Sequence, residues 1–172
     1  DVNKVIFNVG SYNYLEKNLI KTLKRKNIKY YKNIENIYIR NTPIYFLNTG
    51  IYNNENDNSN VLYFIVNNYK FLLMGDAGVD KEKDILDEYS IEDIDFLKVG
   101  HHGSDTSSSK EFIDIMNPKY SIISVGENNR YNHPKKSVLN TLSNSKIYRT
   151  DKDGSIEIKI KSAGYSIETC SS

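Results

Sequence analysis

The sequence predicts an α/β (α+β) fold in which a mixed β-sheet is flanked by helices. Two observations support this fold class. The first half of the chain contains short apolar runs that pair as a hairpin, and after Gly75 strand-like and helix-like runs alternate. The length of 172 residues matches one domain that is large enough to bury a core. We therefore predict a single domain over residues 1–172.

The first half begins with a strand over residues 4–10, where an apolar run ends at a glycine. A helix is predicted over residues 11–27, because its apolar residues recur at helical spacing and Ser11 is a suitable N-cap. The clearest hairpin is VLYFIV-NN-YKFLLMG, since Asn67 and Asn68 tolerate the positive φ that a two-residue turn requires. The other elements of this half are two short strands and a surface loop, at residues 37–39, 44–47 and 53–60.

The second half alternates helices with strands. Ser108 and Glu111 fit the spacing of a capping box at the start of one helix, and Pro134 suits the first position of the next. The predicted helices cover residues 81–89, 107–116 and 134–142, the strands cover residues 95–100, 120–126, 146–150 and 155–161, and a turn covers residues 151–154.

Composition narrows the function classes only slightly. Charged residues make up 26% of the chain and balance to a net charge of +1, which gives no sign of a nucleic-acid or membrane surface. The single cysteine, Cys170, excludes a disulfide framework within one chain. No apolar run approaches the ~18 residues of a membrane span, so we expect no membrane segment in this chain. The start at Asp1 without methionine leads us to expect a piece of a longer protein, and both the extracellular face and the cytoplasm stay open as its location.

All three histidines, together with one aspartate, follow predicted strands. Asp76 comes after the hairpin, His101 and His102 follow the strand at 95–100, and His133 lies in the loop after the strand at 120–126. Ligand sites of open α/β sheets gather beyond the carboxyl ends of strands. Carboxylates and neutral imidazoles suit zinc, manganese or iron. The distribution therefore predicts a metal site.

Each of these residues also has a structural interpretation. Asp76 could be a turn or cap residue, the His101–His102 pair could be packed or hydrogen-bonded, and His133 could simply precede a helix. The combination of all of them at strand ends favours a site over these separate interpretations.

Four blocks resemble a known family in their order: LLMGDA, DFLKVGHHGSDTSSSKEF, NPKYSIISVGENNRYNHPKKSVL and IYRTDKDGSIEI. They resemble the C-terminal half of a metallo-β-lactamase-fold hydrolase, and are most similar to the soluble domain of ComEC-type DNA-uptake competence proteins. The resemblance is strong over about residues 61–160 and weaker over residues 4–47. It implies a partial metallo-β-lactamase fold, an αββα sandwich whose N-terminal part is missing. Residues 1–172 would then be the C-terminal portion of such a domain.

The resemblance also implies roles for particular residues. Asp76 would bridge two zinc or manganese ions, His102 would be a metal ligand, and His101 would be a ligand or a catalytic substrate contact. His133 would be catalytic, donating a proton or holding a phosphate oxygen. The implied substrate-binding residues are Ser104, Arg130 and Tyr131.

One family feature is absent from the sequence. The family carries a His-x-His-x-Asp-His motif that supplies most of the metal ligands, but no histidine precedes His101 in this chain. Asp76 and His102 give two ligands where a tetrahedral site takes three or four. We therefore expect weak or absent metal binding and no activity for this chain alone. An apolar sheet face left uncovered also predicts self-association.

The resemblance implies a metal-dependent hydrolase of phosphodiester or phosphoester bonds, with a nuclease role in DNA uptake as one form of it. Lys135, Lys136 and Arg130 lie near the predicted site and suit a phosphoester or nucleic-acid substrate. The alternative is a non-catalytic module that retains the fold and binds a nucleic acid or a partner. A serine hydrolase built on Ser104 is less supported, because Ser104 follows HHG and lacks a Gly-x-Ser-x-Gly elbow.

Overall fold

The structure is a computed structural model that describes residues 1–170. The strands and helices are β1 (Lys4–Phe7), α1 (Tyr14–Arg25), β2 (Lys29–Lys32), β3 (Asn36–Ile39), β4 (Thr42–Phe46), β5 (Leu62–Val66), β6 (Tyr69–Leu73), α2 (Val79–Glu88), β7 (Phe96–Lys98), α3 (Lys110–Met116), β8 (Tyr120–Ile123), α4 (Lys136–Thr141), β9 (Lys146–Arg149), α5 (Thr150–Asp153), β10 (Ser155–Lys161) and β11 (Gly164–Cys170). Two single 3₁₀ turns cover Glu55–Asn58 and Gly100–Gly103.

The main sheet has seven strands in the order β3-β4-β5-β6-β7-β8-β9. Strands β3 to β6 pair antiparallel, and β6 to β9 pair parallel. Strands β1 and β2 form a separate parallel pair, and β10 and β11 form an antiparallel pair. The predicted mixed α/β class, with a mixed sheet flanked by helices, is therefore confirmed. The specific metallo-β-lactamase fold and the single-domain assignment stay predictions.

The two faces of the main sheet bury different side chains, because successive residues of a strand point to opposite faces. Leu72 and Leu97 pack into the core with residues of α2, α3 and α4. On the other face four aromatic rings are stacked across β5, β6, β7 and β8, with centroid distances of 4.9, 4.7 and 5.3 Å. These rings belong to Phe64, Phe71, Phe96 and Tyr120. Tyr165 of β11 meets Phe96 edge-on at 5.3 Å.

The hairpin β5–β6 is confirmed with the predicted turn, and Asn67 and Asn68 have φ values of 47° and 69°. The N-cap of α1 was predicted wrongly. Asn13 caps the helix instead of Ser11, since its side chain accepts a hydrogen bond from Glu16 N at 2.9 Å and the Glu16 carboxylate accepts one from Asn13 N at 2.7 Å. The reciprocal pair satisfies two amides at the helix start, which Ser11 is too far away to do.

The predicted capping box of α3 is also wrong. Ser109 is the N-cap, and its Oγ accepts a hydrogen bond from Phe112 N at 3.3 Å. Ser108 has a left-handed φ of 61° and precedes the cap. Helix α4 begins at Lys136 and not at Pro134, because Lys135 N donates to Gly103 O at 2.9 Å in a neighbouring loop.

The polar stretch 53–60 differs most from its prediction as a surface loop. Asp57 and Asn58 are only 3% and 2% exposed, since both make hydrogen bonds to the protein interior. Strands β2 and β11 were not predicted, and the turn predicted at 151–154 overlaps the short helix α5. Within residues 1–170, no helix combines the length and apolar character needed to cross a membrane.

Candidate metal centre

The candidate site lies at the edge of the main sheet where β6, β7 and β8 end. These strands are parallel, so their carboxyl ends meet at one edge. The turn after β6 carries Asp76, and the loop after β7 carries His101 and His102. The two segments are hydrogen-bonded to each other, with His101 N donating to Gly75 O at 3.1 Å. The topology therefore brings together residues that the sequence separates.

Asp76 and His102 face each other across this edge. Their Oδ1 and Nε2 atoms are 3.6 Å apart, and both side chains are about half exposed. This distance is too long for a hydrogen bond. Two ligands at about 2.1 Å from a tetrahedral ion lie roughly 3.4 Å apart, so the separation suits a shared cation.

The ring of His102 is oriented by the strand next to it. Its Nδ1 lies 2.6 Å from the carbonyl oxygen of Ser124, which follows β8. Because a carbonyl only accepts, Nδ1 carries the proton and Nε2 turns toward Asp76. Metal-bound histidines are commonly oriented by this type of contact.

The backbone of both histidines is also unusual. His101 and His102 adopt left-handed φ values of 45° and 55°, which are uncommon outside glycine and are found at functional sites.

His101 makes contacts through both ring nitrogens. Nδ1 lies 3.2 Å from Thr106 Oγ1, and Nε2 lies 3.4 Å from Asn56 Nδ2. An ion at Nε2 would have to displace Asn56. The roles of His101 as metal ligand and as catalytic residue stay predictions.

His133 lies beside His101, with ring centroids 6.0 Å apart. Its Nδ1 is buried and has no hydrogen-bond partner within residues 1–170. Burial lowers the pKa of His133, and the positive charge of Lys135 lowers it further. The imidazole is therefore neutral near pH 7, a form that can exchange a proton with a neighbouring group. The catalytic role of His133 stays a prediction.

The predicted substrate-binding residues lie in two different environments. Ser104 is 4% exposed, and its Oγ contacts Thr106 Oγ1 at 3.0 Å. Arg130 and Tyr131 are exposed, and the Arg130 guanidinium lies 4.6 Å from the Tyr131 ring centroid while donating to its hydroxyl. Arg130 and Tyr131 are thus open to a ligand, whereas Ser104 shapes its own loop. The substrate-binding roles of all three stay predictions.

Sequence reasoning missed three further residues at this edge. Asn56 contacts His101, and Ser59 Oγ accepts a hydrogen bond from Asp76 N at 3.2 Å. Both belong to the stretch that was predicted to be a surface loop. Lys98 ends β7, where burial lowers its pKa and the charge of Asp76 opposes that shift. The only sequence signal for Asn56 and Ser59 was a run of amide and hydroxyl side chains, which is equally typical of loops.

The residues at this edge do not by themselves complete a site for zinc or manganese. In the described part of the chain, no three side chains of histidine, cysteine, aspartate or glutamate form a metal-binding group. Asp76 and His102 have the right chemistry and orientation but supply two donors, and a tetrahedral protein site uses three or four.

The chain is similar in sequence to parts of much longer proteins. No protein-family model matches it. The chain is 38% identical over 109 residues to ComE operon protein 3 of Bacillus subtilis, a match covering 62% of the chain and 14% of that protein. It is 32% identical over 113 residues to competence protein ComA of Neisseria gonorrhoeae, covering 64% of the chain and 16% of the relative. Recombination protein 2 of Haemophilus influenzae is 38% identical over 88 residues, covering 50% of the chain and 11% of the relative.

Proposed function

We propose that this chain is part of a metal-dependent hydrolase of the metallo-β-lactamase superfamily that acts on phosphodiester or phosphoester bonds. The observation that supports this proposal is the facing pair of Asp76 and His102, 3.6 Å apart at the carboxyl edge of parallel strands. The contact between His102 and Ser124 O adds to it, because that contact directs Nε2 toward the carboxylate.

We place the reaction in DNA uptake because of the relatives. One relative is named as a competence protein, and the match to ComE operon protein 3 covers more than half of the chain. The chain spans 14% of ComE operon protein 3 and 16% of competence protein ComA, so the activity we propose is that of a whole, longer protein. In that protein, Asp76 and His102 would contribute two ligands and residues outside this chain would contribute the others.

The remaining charged and polar residues would contact the substrate. Arg130 is exposed in the loop that carries His133, and it can donate several hydrogen bonds to phosphate oxygens. His133 is neutral near pH 7, because burial and Lys135 lower its pKa, and it can exchange a proton with a substrate oxygen.

A second candidate is a non-catalytic module that binds a nucleic acid or a partner. The specific observation in its favour is the set of only two metal donors within residues 1–170. Such a module would keep the fold without turnover.

The test uses the full-length protein that contains this chain. The variants Asp76→Ala and His102→Ala should each lower phosphodiesterase activity with Mn²⁺ or Zn²⁺ by roughly 100-fold or more, because each removes a ligand. Their thermal unfolding should match that of the wild type, since both side chains are about half exposed. Asp105→Ala is the matched control, because it removes an exposed carboxylate from the same loop as His102.

Wild-type rates in either variant would refute the assignment, and so would an equal loss in the Asp105→Ala control. A well-folded wild-type protein without any metal-dependent activity on phosphodiesters would favour the non-catalytic module.

A further inference from the structure

The 3₁₀ turn Glu55–Asn58 and the following Ser59 form a polar segment that lies against the turn carrying Asp76. Asp57, only 3% exposed, is directed inward from this segment. Both of its carboxylate oxygens are engaged, since Oδ1 accepts from Gly78 N at 2.7 Å and Oδ2 accepts from Asn54 Nδ2 at 2.8 Å.

Two backbone amides of the Asp76 turn are held by this segment. Asp57 binds the amide of Gly78, and Ser59 Oγ accepts from the amide of Asp76 itself at 3.2 Å. The two contacts therefore flank the residue whose carboxylate faces His102.

The approach of the two segments is close enough to require glycine. A Cβ atom on Gly78 would lie 2.9 Å from Asp57 Oδ1 and 2.8 Å from Thr106 O. Gly75, at the other end of the turn, has a φ of 61° and would place a Cβ 3.0 Å from Ser59 Cβ. The contacts from Asp57 and Ser59 add to the internal hydrogen bond of this turn, in which Ala77 N donates to Met74 O at 3.2 Å.

The burial of Asp57 has an electrostatic cost that these contacts offset. A buried carboxylate is strongly unfavourable unless it is hydrogen-bonded. Asp57 forms no salt bridge within residues 1–170, and its partners are a backbone amide and a side-chain amide. Loss of the hydrogen bond from Gly78 N would leave Asp57 Oδ1 buried without a donor, which is unfavourable. The conformations of the polar segment and of the Asp76 turn are therefore coupled.

We propose that Asp57 and Ser59 are positioning residues that fix Asp76 opposite His102. This inference deepens the proposed function and rests on it for the chemical role of the Asp76–His102 pair. The placement of Asp76 itself is testable without metal and without substrate.

The experiment compares variants of the 172-residue chain by NMR, following the ring proton signals of His102 and the exchange of backbone amides. Asp76→Asn supplies the reference signal of His102 without a facing carboxylate. Asp57→Ala and Ser59→Ala should both move the His102 signal toward that reference. Asp57→Ala should also speed exchange at the Gly78 amide by about tenfold, because it removes the acceptor of that amide.

Two further variants separate positioning from general destabilisation. Asp57→Asn should move the His102 signal less than Asp57→Ala does, because its amide oxygen still accepts from Gly78 N although the contact with Asn54 Nδ2 is lost. Asp95→Ala is the matched control, since it also removes a carboxylate that accepts a backbone amide, that of Lys70 at 2.9 Å, but at the start of β7. It should leave the His102 signal unchanged.

An unmoved His102 signal in both Asp57→Ala and Ser59→Ala would overturn the inference. Faster exchange throughout β6 with no movement of that signal would overturn it as well. If Asp57→Ala does not fold, Ser59→Ala decides alone. An inactive full-length protein would refute the proposed function and leave this result standing, so the two failures are distinguishable.

Discussion

Two groups of loops at the same sheet edge differ in which residues hold them in place. The inner loops, residues 75–78 and 100–109, are bound by buried side chains from distant parts of the chain. The outer loop, residues 126–135, is hydrogen-bonded largely within itself. The inner loops carry the candidate metal ligands together with Ser104, and the outer loop carries Arg130, Tyr131 and His133. The candidate site therefore combines loops held by long-range contacts with buried side chains and one loop whose hydrogen bonds are mostly local.

The inner loops depend on a buried carboxylate of α2. Glu82 is 1% exposed, and its oxygens accept from Ser108 N at 2.5 Å and Ser109 N at 2.8 Å. Burial raises the pKa of Glu82, and the hydrogen bonds from these amides oppose that rise. Ser107 adds contacts within the loop, donating from Oγ toward Gly100 O and Ser104 O, both at 3.0 Å.

The outer loop is organised around one asparagine. Asn129 Nδ2 donates to Gly126 O at 3.1 Å and to His133 O at 2.8 Å, and its Oδ1 accepts from His133 N at 2.9 Å. Lys135 Nζ donates to Tyr131 O at 2.9 Å within the same loop. The contact between Lys135 N and Gly103 O, at 2.9 Å, joins it to the inner loops.

The largest effect is expected for Glu82→Ala. The change leaves two amides of the inner loops without their acceptor, so the free energy of unfolding should fall by about 3 kcal/mol. Urea unfolding measures this loss. The control Glu111→Ala removes an exposed glutamate from α3 and should change the free energy by less than about 0.5 kcal/mol. Equal stability of the two variants would contradict the conclusion that the loop at residues 100–109 depends on Glu82.

An intermediate effect is expected where the two groups of loops touch. In Gly103→Ala, the new Cβ would lie 2.6 Å from Pro134 Cβ on a backbone with φ of +79°. We expect a loss of about 2 kcal/mol, because strain at such a position is of this order. The matched variant Gly126→Ala changes the first residue of the outer loop. Beyond its chain neighbours, no atom lies within 4 Å of the new Cβ. Thermal unfolding should show a clear drop for the first variant and none for the second; the reverse order would contradict the packing described here.

The smallest effect on stability is expected for Tyr131→Ala in the outer loop. The ring is exposed and its described contacts lie within the loop, so the free energy of unfolding should change by less than about 0.5 kcal/mol. In the full-length protein, KM for a phosphodiester substrate should rise roughly threefold, because the ring holds Arg130 through a cation–π contact. A loss of stability as large as that of Gly103→Ala would contradict the conclusion that the contacts of Tyr131 are local to the outer loop.

The sequence predicted the features that depend on local pattern. The Asn67–Asn68 hairpin and the alternation of helices and strands after Gly75 follow from turn chemistry and hydrophobic periodicity. The proximity of Asp76 and His102 followed from the topology, since both come directly after parallel strands.

The contacts that hold the site together could not be predicted from the sequence. Asp57 and Gly78 are 21 positions apart, Glu82 and Ser109 are 27 apart, and Asn56 and His101 are 45 apart. A polar side chain that is buried by such distant partners has no periodic signature, and in the sequence it is typical of a loop. Strand β2 was missed for a related reason, because its parallel pairing with β1 across α1 is a tertiary contact.

The aromatic stack on the second face of the sheet constrains the register of β7. That strand has only three residues, and Phe96 sits between the rings of Phe71 and Tyr120. A slip of one position would put Leu97 among the rings and turn Phe96 toward the helices. Such a mispaired strand would also shift His102 relative to Asp76, so the register of the aromatic stack and the geometry of the candidate site are linked.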